Sequence, residues 1–93
     1  MRERVIERAL FRGVAKLGGY CYKWISPGAN GVPDRLVVLP GGRILFVETK
    51  APNGVVDELQ RYQLQKLQGL GAEVRIVASQ EDVMTLLAEL RGD

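Results

Sequence analysis

Residues 31–50 have the sequence Gly-Val-Pro-Asp-Arg-Leu-Val-Val-Leu-Pro-Gly-Gly-Arg-Ile-Leu-Phe-Val-Glu-Thr-Lys, which predicts a β-hairpin. Residues 35–39 and 43–50 are rich in the β-branched and aromatic side chains typical of strands, and the Pro-Gly-Gly between them is typical of a turn. If Leu39 lies opposite Arg43, the register places Asp34 opposite Glu48. Cβ atoms of such a pair are about 5 Å apart, so the two carboxylates repel each other unless a cation lies between them.

The second strand of this hairpin also carries a lysine at its end. Lys50 follows Glu48 by two residues, so the alternation of a strand brings both side chains to the same face. Apolar residues occupy both faces of the rest of the strand, which predicts a central position in the sheet. The sequence therefore predicts two carboxylates and a lysine at the open end of a buried hairpin, an arrangement suited to a divalent cation and a phosphate group.

These residues resemble a known nuclease signature. Pro33-Asp34 followed by Glu48-Thr49-Lys50 is similar to the Pro-Asp…(Asp/Glu)-x-Lys pattern of the restriction-endonuclease-like superfamily. The wider string resembles the VRR-NUC (virus-type replication-repair nuclease) branch, in particular its small stand-alone phage members, at residues 26–28, 31–35 and 46–52 and at Gln60. The likeness extends from residue 7 to about residue 79. Asp with Glu-x-Lys alone is a weak motif, and the flanking residues make the match specific.

The resemblance implies a metal-dependent DNA endonuclease with no organic cofactor. It would act in replication, repair or recombination and would be selective for branched or junction DNA. Asp34, Glu48 and the backbone carbonyl of Thr49 would hold Mg²⁺ or Mn²⁺, hard cations that take oxygen ligands. The ion would lower the pKa of a water and orient it towards the phosphodiester. Lys50 would position or deprotonate that water and stabilise the charge that develops on the phosphate.

Two further site residues come from the same resemblance. Glu7, on the N-terminal helix, would hold a second ion or a water at the metal, and Glu3, one turn earlier, is the alternative. Gln60 has two interpretations. Asp57-x-x-Gln60 is the spacing of a capping box, in which Gln60 bonds back to the start of its own helix. The family pattern instead directs the matching glutamine at the metal-bound water or the phosphate.

Basic side chains concentrate in the half of the chain that carries this site. Residues 1–50 have nine basic and four acidic side chains, and residues 51–93 have four and seven. This asymmetry suits a polyanionic partner such as DNA. Arg4, Arg8, Arg12 and Lys16 form a stripe on the first helix that is either a solvated face or a phosphate-binding surface. The candidate DNA-binding residues are Arg8, Arg12, Lys16, Lys23 and Arg35.

Composition limits the chemistry and the environment of the protein. The chain has no histidine, which excludes a histidine general base and the usual zinc sites. Its one cysteine, Cys21, allows no internal disulfide and fits a reducing cytoplasm, and its apolar surroundings indicate a structural thiol. We find no signal peptide and no apolar run long enough to span a membrane. We expect one soluble domain, residues 1–93, without a membrane partner, and the resemblance implies a phage origin.

The predicted order of elements is helix, three strands, helix, strand, helix: an α/β fold with a mixed sheet flanked by helices, the restriction-endonuclease-like core. The helices are predicted over residues 3–17, 58–70 and 80–90, and the strands outside the hairpin over residues 20–25 and 73–78. The residues of the second helix expected to face inward are Leu59, Tyr62, Leu67 and Leu70. Those of the last helix are Val83, Leu86, Leu87 and Leu90.

Three aromatic residues of the first strand, Tyr20, Tyr22 and Trp24, share one face. They suit a core or a subunit interface, and alternatively a platform on which bases stack. With the apolar last helix they could form a self-complementary patch, so we expect a homodimer. The alternatives to an endonuclease are a catalytically inactive nucleic-acid-binding module of the same fold, a small structural domain and a different metal-dependent hydrolase.

Overall fold

The order of helices and strands is the predicted one. The computed structural model describes residues 2–92. Its elements, in chain order, are α1 (Glu3–Lys16), β1 (Tyr20–Lys23), β2 (Arg35–Val38), β3 (Ile44–Thr49), α2 (Glu58–Gly69), β4 (Glu73–Val77) and α3 (Gln80–Arg91). No helix in this part of the chain has both the length and the apolar character needed to cross a membrane.

The four strands form one mixed sheet in the order β1-β2-β3-β4. β1, β2 and β3 are antiparallel neighbours, and β4 lies parallel to β3, so β3 is central as predicted. Val38 pairs with Ile44, and the Leu39 N–H donates to the Arg43 carbonyl over 2.8 Å. The predicted hairpin register is therefore confirmed, and it extends to Asp34 opposite Glu48.

Helices α1 and α3 cover one face of the sheet and form the core with it. Ile6, Leu10 and Val14 of α1 are fully buried at the spacing of one helix face. They meet buried side chains of all four strands and of α3, namely Cys21, Val37, Leu39, Leu45, Val47, Val77, Val83 and Leu86. Leu87 and Leu90 pack against this core, so the apolar face predicted for α3 is confirmed.

The inward face predicted for α2 is wrong. Leu59, Tyr62 and Leu70 are 48%, 55% and 77% exposed, and the buried residue of this helix is Leu64. The reason is that α2 lies on the opposite face of the sheet and packs mainly against β4, an edge strand. One narrow side of the helix is covered, so Leu67 is partly buried as predicted while Leu59 and Leu70 stay at the surface.

The first strand is shorter than predicted. It ends at Lys23, although the Trp24 N–H still donates to the Asp34 carbonyl over 2.8 Å. Ile25 is 70% exposed and precedes the Ser26-Pro27 pair, whose proline cannot donate a further backbone bond. Trp24 instead packs against Phe46, with ring centroids 5.1 Å apart.

Cys21 is the buried structural thiol expected from its surroundings. Its side chain lies in the core beneath α1 and is 3% exposed. Burial raises the pKa of the thiol to about 11, because the thiolate would lose its hydration there. The nucleophilic form is therefore scarce at neutral pH.

The backbone of the loop requires glycine at Gly31, the first residue of the Gly-Val-Pro-Asp string, and a substitution there tests this requirement. Its φ is +86°, and a Cβ here would lie 2.9 Å from the Leu59 carbonyl oxygen, in the first turn of α2. We expect Gly31→Ala to lower the free energy of unfolding by about 1–3 kcal/mol, because the change combines backbone strain with a clash against backbone. Gly28 of the same loop has nothing within 4 Å and an ordinary φ, so Gly28→Ala is the matched control. Equal urea midpoints for the two variants would contradict this account of the loop.

Candidate active site

Asp34, directly before β2, links the start of β2 to the end of β3 by hydrogen bonds. Its Oδ1 accepts from the Thr49 backbone N–H over 2.8 Å, and its Oδ2 accepts from the Thr49 hydroxyl. In return the Asp34 N–H donates to Glu48 Oε1 over 3.2 Å. Glu48 and Thr49 are 4% and 1% exposed. The hairpin thus holds its polar end by side-chain bonds that continue the ladder where the two strands stop.

The Asp34 carboxylate meets two carboxylates of α1. Glu3 and Glu7 lie one helical turn apart, and an oxygen of each lies with one of Asp34 in a group whose atoms are all within 4.8 Å of one another. The Thr49 hydroxyl also lies 3.5 Å from Glu3 Oε2. The sequence left open which helix glutamate is at the site, and the structure places both there. Three carboxylate oxygens are the hard donors that Mg²⁺ and Mn²⁺ prefer.

Glu48 is not a member of that group, although the sequence placed it with Asp34 around one ion. Its Oε1 accepts the Asp34 N–H, and its Oε2 accepts from Gln60 Nε2 over 2.9 Å and lies 3.5 Å from Lys50 Nζ. Burial raises the pKa of the Glu48 carboxyl, and the charge of Asp34 raises it further. The two carboxylates therefore interact electrostatically, as the register predicts, while each is held by different partners.

Negative charge is in excess at this end of the hairpin. Four carboxylates surround two cations here: Glu3, Glu7, Asp34 and Glu48 around Arg35 and Lys50. The excess affects Glu3, whose carboxyl pKa is raised by burial, then by the charges of Glu7 and Asp34, against a lowering by Lys50. Arg35 and Lys50 are the cations in ion-pair contact with these carboxylates, which leaves two negative charges at contact distance, the charge of one divalent cation, and Arg4 and Arg8 of the adjoining cavity act on the group at longer range.

Arg35 lies within the site, whereas the sequence placed it among the DNA-binding residues. Its Nη2 is 2.8 Å from Glu7 Oε2, its Nε is 3.7 Å from Asp34 Oδ2, and its side chain is 16% exposed. The Nε is buried and has no hydrogen-bond partner among the described residues. β2 turns this side chain towards α1, because Arg35 pairs with Val47 and shares its core-facing side. Arg35 therefore holds the acidic group together.

Gln60 completes the capping box and also reaches the candidate site, where it bonds to Glu48. Its Oε1 accepts from the Asp57 N–H over 3.1 Å while its own N–H donates to Asp57 Oδ1 over 2.8 Å, which completes the capping box. Its amide nitrogen donates to Glu48 Oε2. The two ends of one amide serve both purposes, so the start of α2 is tied to the site.

The basic stripe of α1 divides between two surfaces. Arg4 and Arg8 line a shallow cavity of about 260 Å³ together with Glu7, Phe11 and Arg35. Arg12 and Lys16 instead border a groove between α1 and α3. Lys23 is exposed on the edge strand β1. The structure thus brings Arg8 beside the acidic group and turns Arg12 and Lys16 towards α3.

Sequence reasoning missed the internal position of Arg35 and the bond between Gln60 and Glu48. A signal existed for Arg35, since the alternation of a strand puts it on the same face as the apolar Val37. The spacing of Glu3 and Glu7, four residues apart on one helix face, was a signal that both belong to the site.

The Arg35–Glu7 pair can be compared with an exposed pair elsewhere on the sheet. We expect Arg35→Met to lower the free energy of unfolding by about 3 kcal/mol, because it leaves carboxylates in partial burial without their cation. Arg43→Met is the control, since Arg43 makes two bonds to Glu73, of 2.9 and 2.7 Å, with side chains 40% and 37% exposed. Solvent and salt weaken such a pair, so the control should lose much less. Denaturant melts that give equal losses would contradict a special role for Arg35.

A scan of family models and a search of curated proteins both return nucleases. The model of the VRR-NUC domain matches residues 10–81. A protein of Acyrthosiphon pisum secondary endosymbiont phage 1, described as "Putative nuclease p44", is 47% identical over 81 residues, which cover 87% of each chain. The matched model range contains Asp34, Glu48, Lys50 and Gln60, while Glu3 and Glu7 precede it.

The fold has a close counterpart among solved structures. A chain described as a VRR_NUC domain superposes with a TM-score of 0.86 at 34% sequence identity. The match covers 91% of this chain and 92% of that one. The mixed sheet and the order of its flanking helices are therefore those of that domain.

Proposed function

The chain belongs to the VRR-NUC domain family, and we propose that it is an Mg²⁺- or Mn²⁺-dependent deoxyribonuclease that cuts branched or junction DNA. The observation that carries the proposal is the charge balance at the end of the hairpin, where four carboxylates face two cations. A divalent cation would neutralise the remainder, and a phosphate group could then approach. A protein that only bound DNA would have no use for this excess of negative charge.

Asp34, Glu7 and Glu3 would hold the ion, with Glu48 and the Thr49 backbone carbonyl as further oxygen donors from β3. Such an ion supplies an acidified water and electrostatic stabilisation of the phosphate in the transition state. Arg35 holds the Glu7 carboxylate in place, and Thr49 holds that of Asp34. These contacts fix the donors before metal or substrate arrives, which reduces the reorganisation that binding requires.

Lys50 would act on the attacking water and on the charge that develops on the phosphate. Its ammonium lies 3.5 Å from Glu48 Oε2, and its side chain is 17% exposed. Gln60 fixes Glu48 from the other side through its amide nitrogen. Glu48 thus has a positioning role towards Lys50 in addition to its place near the ion.

Substitutions at the hairpin end test the assignment of catalysis. We expect Asp34→Asn, Glu48→Gln and Lys50→Ala each to lower DNA cleavage by at least about a hundredfold, as the loss of one charge-stabilising group does. Binding of DNA should largely persist, because the surface arginines are unchanged. Cleavage of plasmid and of four-way DNA, with Mg²⁺ or Mn²⁺ and with EDTA, gives the measurement. Normal cleavage by Asp34→Asn would show that the site is assigned wrongly, and DNA binding without any metal-dependent cleavage by the parent would favour an inactive binding module.

Metal binding can be tested without substrate. A ligand that binds only the folded protein stabilises it by about 2.7 kcal/mol at a hundred times its Kd, so millimolar Mn²⁺ or Mg²⁺ should raise the melting temperature of the parent. Asp34→Asn and Glu7→Gln should gain little. Glu73→Gln is the control, because Glu73 lies at the other end of β4 and pairs with Arg43. A parent indifferent to both ions, or a control that also fails to respond, would contradict a metal site at this cluster.

We propose further that the protein acts as a homodimer, so that two sites can address two strands of a junction. In support, large apolar side chains of the sheet and of α3 remain exposed, among them Ile44 at 47%, Ile76 at 47% and Met84 at 69%. Apolar surface of this kind is typical of protein contacts. Light scattering at tens of micromolar, with and without DNA, should give twice the mass of one chain. A monomer mass under both conditions would remove the proposal.

Three further proposals concern the domain, the source and the location of the protein. We propose that residues 1–93 form a single nuclease domain, that the protein is encoded by a phage and that it acts in the cytoplasm of the host. The phage source of the p44 relative supports the second of these. A lone buried thiol and a DNA substrate support the third.

A further inference from the structure

Three aromatic side chains form a ladder at the free edge of the sheet. Phe11 of α1 meets Tyr20 of β1 edge to face with centroids 5.3 Å apart, and Tyr20 meets Tyr22 at 4.7 Å. Their exposed fractions are 39%, 49% and 51%. We call these three residues the aromatic ladder. Aromatic rings in such contact are usually part of a protein core, yet these three are about half exposed.

The aromatic ladder is joined to the acidic group by a basic cavity. The shallow cavity of about 260 Å³ is lined by Arg4, Arg8, Phe11, Glu7 and Arg35. Glu7 is a member of the acidic group, and Phe11 is the first ring of the ladder. A surface therefore runs from the carboxylates past two exposed arginines to three rings.

The spacing along this surface fits a nucleic-acid strand. Tyr22 pairs with Leu36, two residues from Asp34. Strands lie about 4.8 Å apart and rise about 3.4 Å per residue, so the backbones of Tyr22 and Asp34 are roughly 8 Å apart. Stacked nucleotides of one DNA strand succeed each other at about 3.4 Å, so this distance corresponds to about two nucleotides.

We propose that the aromatic ladder binds unpaired bases of a DNA strand whose scissile phosphate lies at the acidic group. Every base has a π face that can stack on an aromatic ring, and such stacking does not depend on sequence. Arg4 and Arg8 contact the phosphates between the two places. The proposal rests on the proposed nuclease function and names its substrate class: branched DNA with a single-stranded arm, in preference to a fully paired duplex.

The arginines favour DNA over a second copy of the chain as the occupant. A twofold contact through the ladder would bring Arg4 and Arg8 of both copies to one surface, where like charges repel. The phosphates of a strand complement the same charges. Trp24, directly after β1, packs against Phe46 and is less exposed than the tyrosines of the ladder, which have no such cover.

The test compares two DNAs that differ only in pairing. The probes are a fluorescent duplex with an oligo-dT flap and a fully paired duplex of equal length, titrated in EDTA so that no cleavage occurs. We expect Tyr20→Ala with Tyr22→Ala to raise the Kd for flapped DNA at least about tenfold and the Kd for the duplex less than about threefold. Tyr62→Ala is the matched control, since Tyr62 is 55% exposed on α2 and should change neither. The double change to Phe keeps the rings and should keep the affinity, which separates stacking from a loss of folding.

The arginine pair is tested by the salt dependence of flap binding. Arg4→Ala with Arg8→Ala should flatten the log–log slope by about 1.4, the value for two phosphate contacts on a single strand. Arg12→Ala with Lys16→Ala removes the same charge from the groove beside α3 and should flatten it less.

Three results for the variant with Tyr20→Ala and Tyr22→Ala would overturn the proposal. The first two are an equal loss of affinity for both DNAs and no loss of affinity for flapped DNA. The third is conversion of a dimer to a monomer, which would make the ladder a subunit contact. Because binding is measured in EDTA, a failure of the ladder leaves metal-dependent cleavage intact. A failure of the nuclease assignment would instead appear as absent cleavage with preserved flap binding.

Discussion

The bonds between the Asp34 carboxylate and Thr49 are the constraint on which the site depends. Both oxygens of Asp34 are occupied by the N–H and hydroxyl of one residue, at the point where β2 and β3 stop exchanging backbone bonds. This fixes the carboxylate against the sheet and presents it to Glu3 and Glu7 of α1. Without it, the hairpin would still form in the same register, but its polar end would be free to open.

Two ion pairs fix the charged side chains of the site in a similar way. Arg35 reaches back from β2 to Glu7, while Lys50 lies at the end of β3 beside Glu48. One cation therefore serves the helix side of the site and the other serves the sheet side, and Asp34 lies between them. Arg35 and Lys50 therefore balance the charges of the four carboxylates only in part.

Much of this could be predicted from the sequence, because the strongest signals were local. The hairpin register followed from one turn and from strand alternation, and α1 and α3 followed from apolar residues at helical spacing. The buried face of α2 could not be predicted, because leucines occur on several sides of this helix. Contact with β4 determines that Leu64 is the buried one. The position of Arg35 and the second bond of Gln60 depend on which elements meet across the sheet, and local pattern does not contain that.

The capping box of α2 has a consequence for how the protein can lose its site. The first turn of a helix is among the first parts of a fold to fray, and it does so far below the free energy of global unfolding. Here that turn carries the amide that holds Glu48. A transient unwinding of a few residues at the surface would therefore release a buried carboxylate while the core of α1, α3 and the sheet stays intact. Solvent that loosens helix ends would therefore change the candidate site while the overall secondary structure stays nearly unchanged.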